Sequence, residues 1–433
     1  MKELRQLLYL VLCLIIGVCT FSGCIEEYEA DIPSEDTDLL VVEGTICSSK
    51  MNKFVLTRTQ ALHSMTPDSY FSSVMMSPPR MVTNAIVSVR GTDGSEYMAR
   101  EHSKEIDPGF YVGGNPQDGI TRESIYPATG GYYSCQLGVL NPDVEYYLHI
   151  EVGGEVYESV PQKPLPTEKI AEVSAVQDAP QSNIDILVTP EAPLVSDEAN
   201  YYSWTYDETW ELRPEYVTNM VFDTGEMKPV RKTDQFPRRG WKDATGTTIM
   251  VGASTSYEGQ HIRRLKLYDI DRGDERVYYR YSGLVHQRAI SKAEYEYETA
   301  RRQASSEMGG LFTPQPSALP TNIRCLTSKK HVIGFVGCSL NTSEYRFFID
   351  AENFSVLIPQ IRDLVWLEDC NETDCLRMVY SGMYLCIWED NRKIGYELRT
   401  GWAFDYQLDV RLRHAGVYIE EPVFWSLKEN VSY

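Results

Sequence analysis

The 433-residue sequence predicts a mainly β protein: an N-terminal β-sandwich over residues 39–165, then a larger antiparallel β domain over 168–433 with one inserted helix at about 291–306. Three observations carry this. Short runs that alternate apolar and polar residues, closed by Gly, Asp or Pro turns, recur from residue 39 to residue 160. Aromatic residues crowd strand-like runs in the second half, and a hydrophobic content of 42% with 29 Tyr, 13 Phe and 7 Trp fills cores and excludes disorder. One stretch, starting at Ser291, combines helical spacing with a helix start signal.

In chain order, the first element is an export address. Lys2 and Arg5 precede an apolar run at residues 7–18 that is too short to span a bilayer and reads as a signal peptide over 1–23. It ends in Phe21-Ser22-Gly23-Cys24. Small residues directly before a Cys are what lipoprotein signal peptidase requires, so Cys24 is expected to carry lipid and to become the first mature residue. Glu26 and Glu27 follow at once and resemble the surface-export signal of Bacteroidota lipoproteins. The expected location is the outer membrane, lipid-anchored and exposed at the cell surface. Residues 24–38 read as a lipidated acidic tether. The net charge is −21, and Arg238-Arg239 and Arg263-Arg264 are isolated basic pairs. Such a surface repels a phosphate backbone, which excludes general nucleic-acid binding. It also favours a body held off an anionic leaflet, touching the lipid bilayer through the Cys24 anchor.

Strands are expected at 39–46, 54–59, 85–90, 132–137, 145–152 and 156–160, with turns at 91–94 and Gly153-Gly154. Their order looks like immunoglobulin/transthyretin-like modules of exported proteins. Residues 65–80, with Pro67, Pro78 and Pro79, read as a surface loop. Residues 162–167 (QKPLPT) mark the domain boundary. Beyond it, residues 200–211, 276–283 and 345–349 read as aromatic strands. At Ser291-Lys292-Ala293-Glu294 a capping box is expected, with Ala293, Tyr297, Ala300 and Ala304 as the packing stripe. Gly309-Gly310 ends the helix.

Export implies an oxidising compartment, where disulfides form. Seven cysteines remain after the signal and the lipid are set aside: Cys47, Cys135, Cys325, Cys338, Cys370, Cys375 and Cys386. Possible pairs are Cys370–Cys375, across a short loop, and Cys47–Cys135, within one expected domain; buried free thiols are the alternative. Paired CxxC modules of a structural zinc site are missing. The seven His form no His-Glu-x-x-His, and no nucleophile elbow or phosphate-cradling Gly loop is present. Asp269, Asp271 and Asp274 offer oxygen ligands for Ca²⁺ but lack the glycine and bidentate Glu positions of an EF-hand, so a solvated turn is the favoured reading. Tyr202, Trp204, Tyr206 and Trp210 share one strand face with Glu208, which reads as sheet core ahead of a ligand platform. No metal and no cofactor beyond the covalent lipid is implied, and the ligand is unknown.

Six landmarks in order resemble a family of Bacteroidota lipoproteins known as domain of unknown function 4249. They are the Cys24 lipobox, VVEG at 41–44, YYSWTYDETWE at 201–211, SKAEYEYE at 291–298 with GGLFTPQPS at 309–317, VIGFVGCS at 332–339 followed by YRFFID at 345–350, and DVRLRHAGVYIEEPVFW at 409–425. The family pattern has a Cys pair near the terminal motif; Gln407 and Val410 stand there in this chain, so no role of that pair is carried over. The resemblance implies a partnership with a TonB-dependent β-barrel transporter. The expected function is that of a non-catalytic accessory binding or docking subunit. A surface hydrolase with an unrecognised site and a structural or adhesive surface protein are the alternatives.

Overall fold

Alternation along the first strands sets the sandwich core. Val42, Ile46, Phe54 and Leu56 are wholly buried, as period-two side-chain placement requires of a sheet packed on one face. A computed structural model describes residues 39–59, 80–102, 132–192, 200–232, 236–246, 249–306, 319–361, 363–390, 398–427 and 429–432. Cys24, Glu26, Glu27, the tether and all but one residue of the 65–80 loop lie outside them, as do Gly309-Gly310.

One sheet of the sandwich runs Val332–Ser339, Leu40–Cys47, Met51–Arg58, Tyr133–Gln136, Arg100–Glu101, with Arg80–Met81 also paired to Met51–Arg58. The facing sheet runs Ile323–Cys325, Glu155–Ser159, Tyr146–Val152, Ile86–Gly91, Glu96–Met98. Val87, Val89, Leu148, Ile150 and Tyr157 meet the first sheet in one apolar cluster. Gly153 and Gly154 both take positive φ, which the tight turn between two of these strands needs and β-carbon-bearing residues resist.

The sandwich is not built from residues 39–165 alone. Ile323–Cys325 pairs with Glu155–Ser159, and Val332–Ser339 runs parallel to Leu40–Cys47, from Leu40 opposite Val332 to Cys47 opposite Ser339. Parallel neighbours require a long crossover, here supplied by residues 48–331, which include the other sandwich strands and much of the second β-body. The expected boundary is also tied back. Gln162 exchanges backbone hydrogen bonds with Tyr146, and Thr167 Oγ1–H donates to the Asn341 carbonyl at 2.7 Å. By contact, all described residues belong to one unit, Leu39–Tyr433.

In the second body, a three-stranded sheet (Ile170–Val176, Ile184–Pro190, Leu265–Ile270) packs on a larger antiparallel one. The latter runs Gly240–Thr245, Tyr201–Leu212, Arg280–Ile290, Ser343–Asp350, Val431–Ser432. Tyr202, Trp204 and Trp210 are buried between them with Ile186, Val188, Tyr281 and Phe347. The aromatic face of Tyr201–Leu212 is therefore core, and the indole of Trp204 donates to Gln287 Oε1 at 2.9 Å. A third sheet (Val365–Glu368, Leu398–Phe404, Met383–Asp390) forms its own cluster with the short helix Glu372–Tyr380 and Phe222. Among the described residues, no helix is long and apolar enough to cross a membrane.

The helix Lys292–Ser306 starts where expected, with Ser291 Oγ accepting the Glu294 amide at 3.1 Å. The reciprocal half of the capping box does not form. Glu294 turns to Arg288 instead, in a two-pronged pair at 2.5 and 3.1 Å. A largely buried guanidinium is a stronger partner for a carboxylate than one backbone amide. The packing stripe shifts accordingly: Ala293 is exposed, and Glu294 and Tyr297 are buried. Tyr297 packs on Phe335 of the parallel strand, with ring centroids 5.5 Å apart.

Candidate functional site

Three strand ends of the larger sheet and the C-terminal segment around Glu421–Trp425 converge on an open cleft of about 410 Å³. Glu211 and Arg213 come from the end of Tyr201–Leu212 and just past it, Arg280 from the start of its neighbour, Asp350 from the end of the next strand. Glu421 and Trp425 close the side supplied by the C-terminal segment, and Arg239 leads into the edge strand. Each position follows from register: Tyr281 lies opposite Trp210 and Arg280 opposite Asp350, so the ends of three strands fall in one row.

Each of the three arginines in the cleft has a carboxylate partner, and Glu352 adds a fourth carboxylate to the lining. Arg213 Nε sits 2.6 Å from Glu211 Oε1, Arg280 Nε 3.1 Å from Asp350 Oδ1, and Arg239 Nη1 3.6 Å from Glu421 Oε2. Rings hold the guanidinium planes: Arg213 lies over Tyr279 at 4.5 Å, and Arg280 between Phe348 at 4.4 Å and Trp425 at 5.7 Å. Arg280 also donates to the carbonyls of Trp425 (2.8 Å) and Leu427 (2.7 Å), which straps the C-terminal segment to the sheet. The outcome is a rigid wall of alternating donors and acceptors with aromatic edges.

Sequence reading did not single out these residues. Arg239 figured only as an isolated basic pair with Arg238, Arg280 only as a member of an aromatic strand, and Trp425 only as the end of a landmark. A faint signal was present in the co-occurrence of Arg with Tyr and Trp at strand ends, but their convergence depends on strand order.

The other candidates divide as follows. The three aspartates of the acidic turn face different partners: Asp269 takes Lys266 and Asn183, Asp271 accepts the Gly273 amide, and Asp274 caps a 3₁₀ turn and pairs with Arg276. They do not converge on a cation, and among the described residues no group of three His, Cys, Asp or Glu side chains is placed to hold a metal. The Cys47–Cys135 pairing is corrected by register. Cys135 lies in the sandwich core with its thiol on the Tyr97 carbonyl at 3.5 Å, whereas Cys47 follows core-facing Ile46 and turns to the other side of its strand. Cys370 and Cys375, in contrast, are brought together, with their sulfurs 2.8 Å apart.

No curated protein matches this chain. Residues 25–345 match the domain of unknown function (DUF4249), well over half of the 433 residues, beginning at the position after Cys24. The match takes in Glu211, Arg213, Arg239 and Arg280 of the cleft and stops short of Asp350, Glu421, Trp425 and the terminal landmark at 409–425. On that match, the chain belongs to the DUF4249 family.

Proposed function

We propose that this chain is a Bacteroidota outer-membrane lipoprotein, displayed on the cell surface through Cys24, that serves as a non-catalytic accessory binding subunit of a TonB-dependent β-barrel transporter. The observation that carries the reading is the placement of the family match directly behind a lipidation motif, Phe21-Ser22-Gly23-Cys24, with Glu26 and Glu27 next in line. Confinement to the plane of the membrane raises the effective concentration of even a weak docking surface toward a transporter in the same plane. The cleft is the proposed contact for solute. Its cations are already matched by carboxylates and rings, so a free anion gains little there. Fixed hydrogen-bonding groups beside aromatic edges suit a neutral, polyhydroxylated molecule such as an oligosaccharide.

Pulldown of the lipidated chain in mild detergent is expected to recover a TonB-dependent barrel. Recovery of no barrel, or turnover of a glycan or peptide by the purified chain, overturns the assignment. Cys24→Ala is expected to abolish lipid labelling, and Ala at both Glu26 and Glu27 to reduce protease accessibility on intact cells with lipidation unchanged.

A further inference from the structure

We infer that Cys370 and Cys375 are a disulfide in the mature protein, closing a loop that staples the end of one strand to the first turn of the helix Glu372–Tyr380; the inference rests on the export reading above for its oxidising compartment. Four observations support it. The two sulfurs are 2.8 Å apart as thiols, and both residues are buried, at 5% and 1% exposure. The intervening loop is already pinned, since Asn371 Oδ1 accepts the Asp374 amide at 3.0 Å and Asp374 returns to the Asn371 amide. Closing the bond therefore costs little further backbone order. Both cysteines pack with Phe222, Met378, Leu385 and Trp402 in the core of the third sheet, so a bond between them spares that core two buried S–H groups with few acceptors.

The step balances as a thiol–disulfide exchange. One thiolate attacks a donor disulfide, of a protein oxidase or a small-molecule disulfide of the export compartment. The second thiolate then displaces the donor from the mixed disulfide, and the donor leaves as two thiols carrying the two electrons. Timing follows from burial. Desolvation, with the neighbouring Cys370 sulfur, pushes the Cys375 thiol up to about 12. A thiol so placed is scarcely nucleophilic in the folded protein, so the bond closes while the segment is still open and is then shielded from reductant.

The mature full-length chain, unfolded and reduced, is refolded in a glutathione redox buffer, then denatured, alkylated and mapped by mass spectrometry. The expected result is one peptide pair joined through Cys370 and Cys375, with Cys47, Cys135, Cys325, Cys338 and Cys386 alkylated. Reductant added during unfolding should lower the melting temperature of the refolded wild type by about 3 °C. It should leave the Cys370→Ala/Cys375→Ala double variant unmoved, which separates a covalent role from a packing one. Alkylation of both cysteines after oxidative refolding, or a melt insensitive to reductant, overturns the inference. Alkylation at harvest from intact cells tests the compartment: a bond that closes in the refolded protein but is open in cells overturns the export reading instead.

Discussion

Glu208 is 5% exposed at the centre of the aromatic strand, where an unpaired carboxylate is untenable. Its Oε1 accepts from Arg276 at 2.7 Å and from the Tyr281 hydroxyl at 2.8 Å, and Tyr281 in turn meets Tyr268 at 2.7 Å. Arg276 divides its fork between Glu208 and Asp274. Arg276→Ala removes the cation and leaves the buried charge, so a loss of about 3 kcal/mol is expected from the urea midpoint at constant slope. An unmoved midpoint would mean that Glu208 is held neutral. Asp207, on the opposite face of the same strand, supplies a pH signature. Burial pushes its carboxyl up, but hydrogen bonds from His286 and Thr245 outweigh that and hold it below the ordinary 3.8. A lowered folded value stabilises above the unfolded pKa and is lost as pH falls through the folded one. The stability gap between wild type and Asp207→Asn is therefore expected to be full above about pH 4 and to close below it; a gap constant down to pH 2 would refute the pairing.

The helix Lys292–Ser306 holds two expectations. Ser291→Ala removes the acceptor of the Glu294 amide and should cost about 1 kcal/mol in thermal or urea unfolding. The second concerns the strand beneath the helix. A β-carbon on Gly337 would stand 2.5–2.6 Å from the Glu294 carboxylate oxygens and 2.7 Å from Arg288 Nη1. Glycine is there for close approach: the buried ion pair occupies the volume a side chain would fill. Gly337→Ala is expected to destabilise by about 2 kcal/mol, as overpacking does. In the Gly337→Ala/Glu294→Ala background that cost should shrink, which a double-mutant cycle measures.

Strands more than 270 residues apart in sequence complete the sandwich. Leu40–Cys47 lies between Met51–Arg58 and Val332–Ser339, and Ile323–Cys325 extends the facing sheet. A fragment of residues 39–165 leaves both of these edges unpaired and strips Val332, Val336 and Ile323 from the core. It is expected to lack the cooperative melt and the near-ultraviolet dichroism of the full chain. A cooperative, native-like melt of the fragment would show that residues 39–165 suffice without the late strands. Locating a partner contact therefore calls for point variants in the whole chain, since a fragment of residues 39–165 loses a strand from each of its two sheets.

Local rules made much of this protein legible. Period-two alternation located Leu40–Cys47, Ile86–Gly91 and Tyr146–Val152 to within a residue or two, paired glycines marked the turn at 153–154, and the Ser291 hydroxyl marked a helix start. The aromatic face of Tyr201–Leu212 was readable as core because alternation and bulk agree. Each of these depends on neighbours in sequence, through side-chain direction, φ preference or a cap within three residues. Long-range choices were not legible. That Leu40–Cys47 takes Val332–Ser339 as a parallel partner, that Glu294 chooses Arg288 over its own helix cap, that Cys47 turns away from Cys135, and that Arg213, Arg239 and Arg280 meet around one cleft all follow from strand order. Hydrophobic burial is non-directional and scores many pairings of similar apolar strands alike, so the selection among them falls to packing, register and charge pairing in the assembled core.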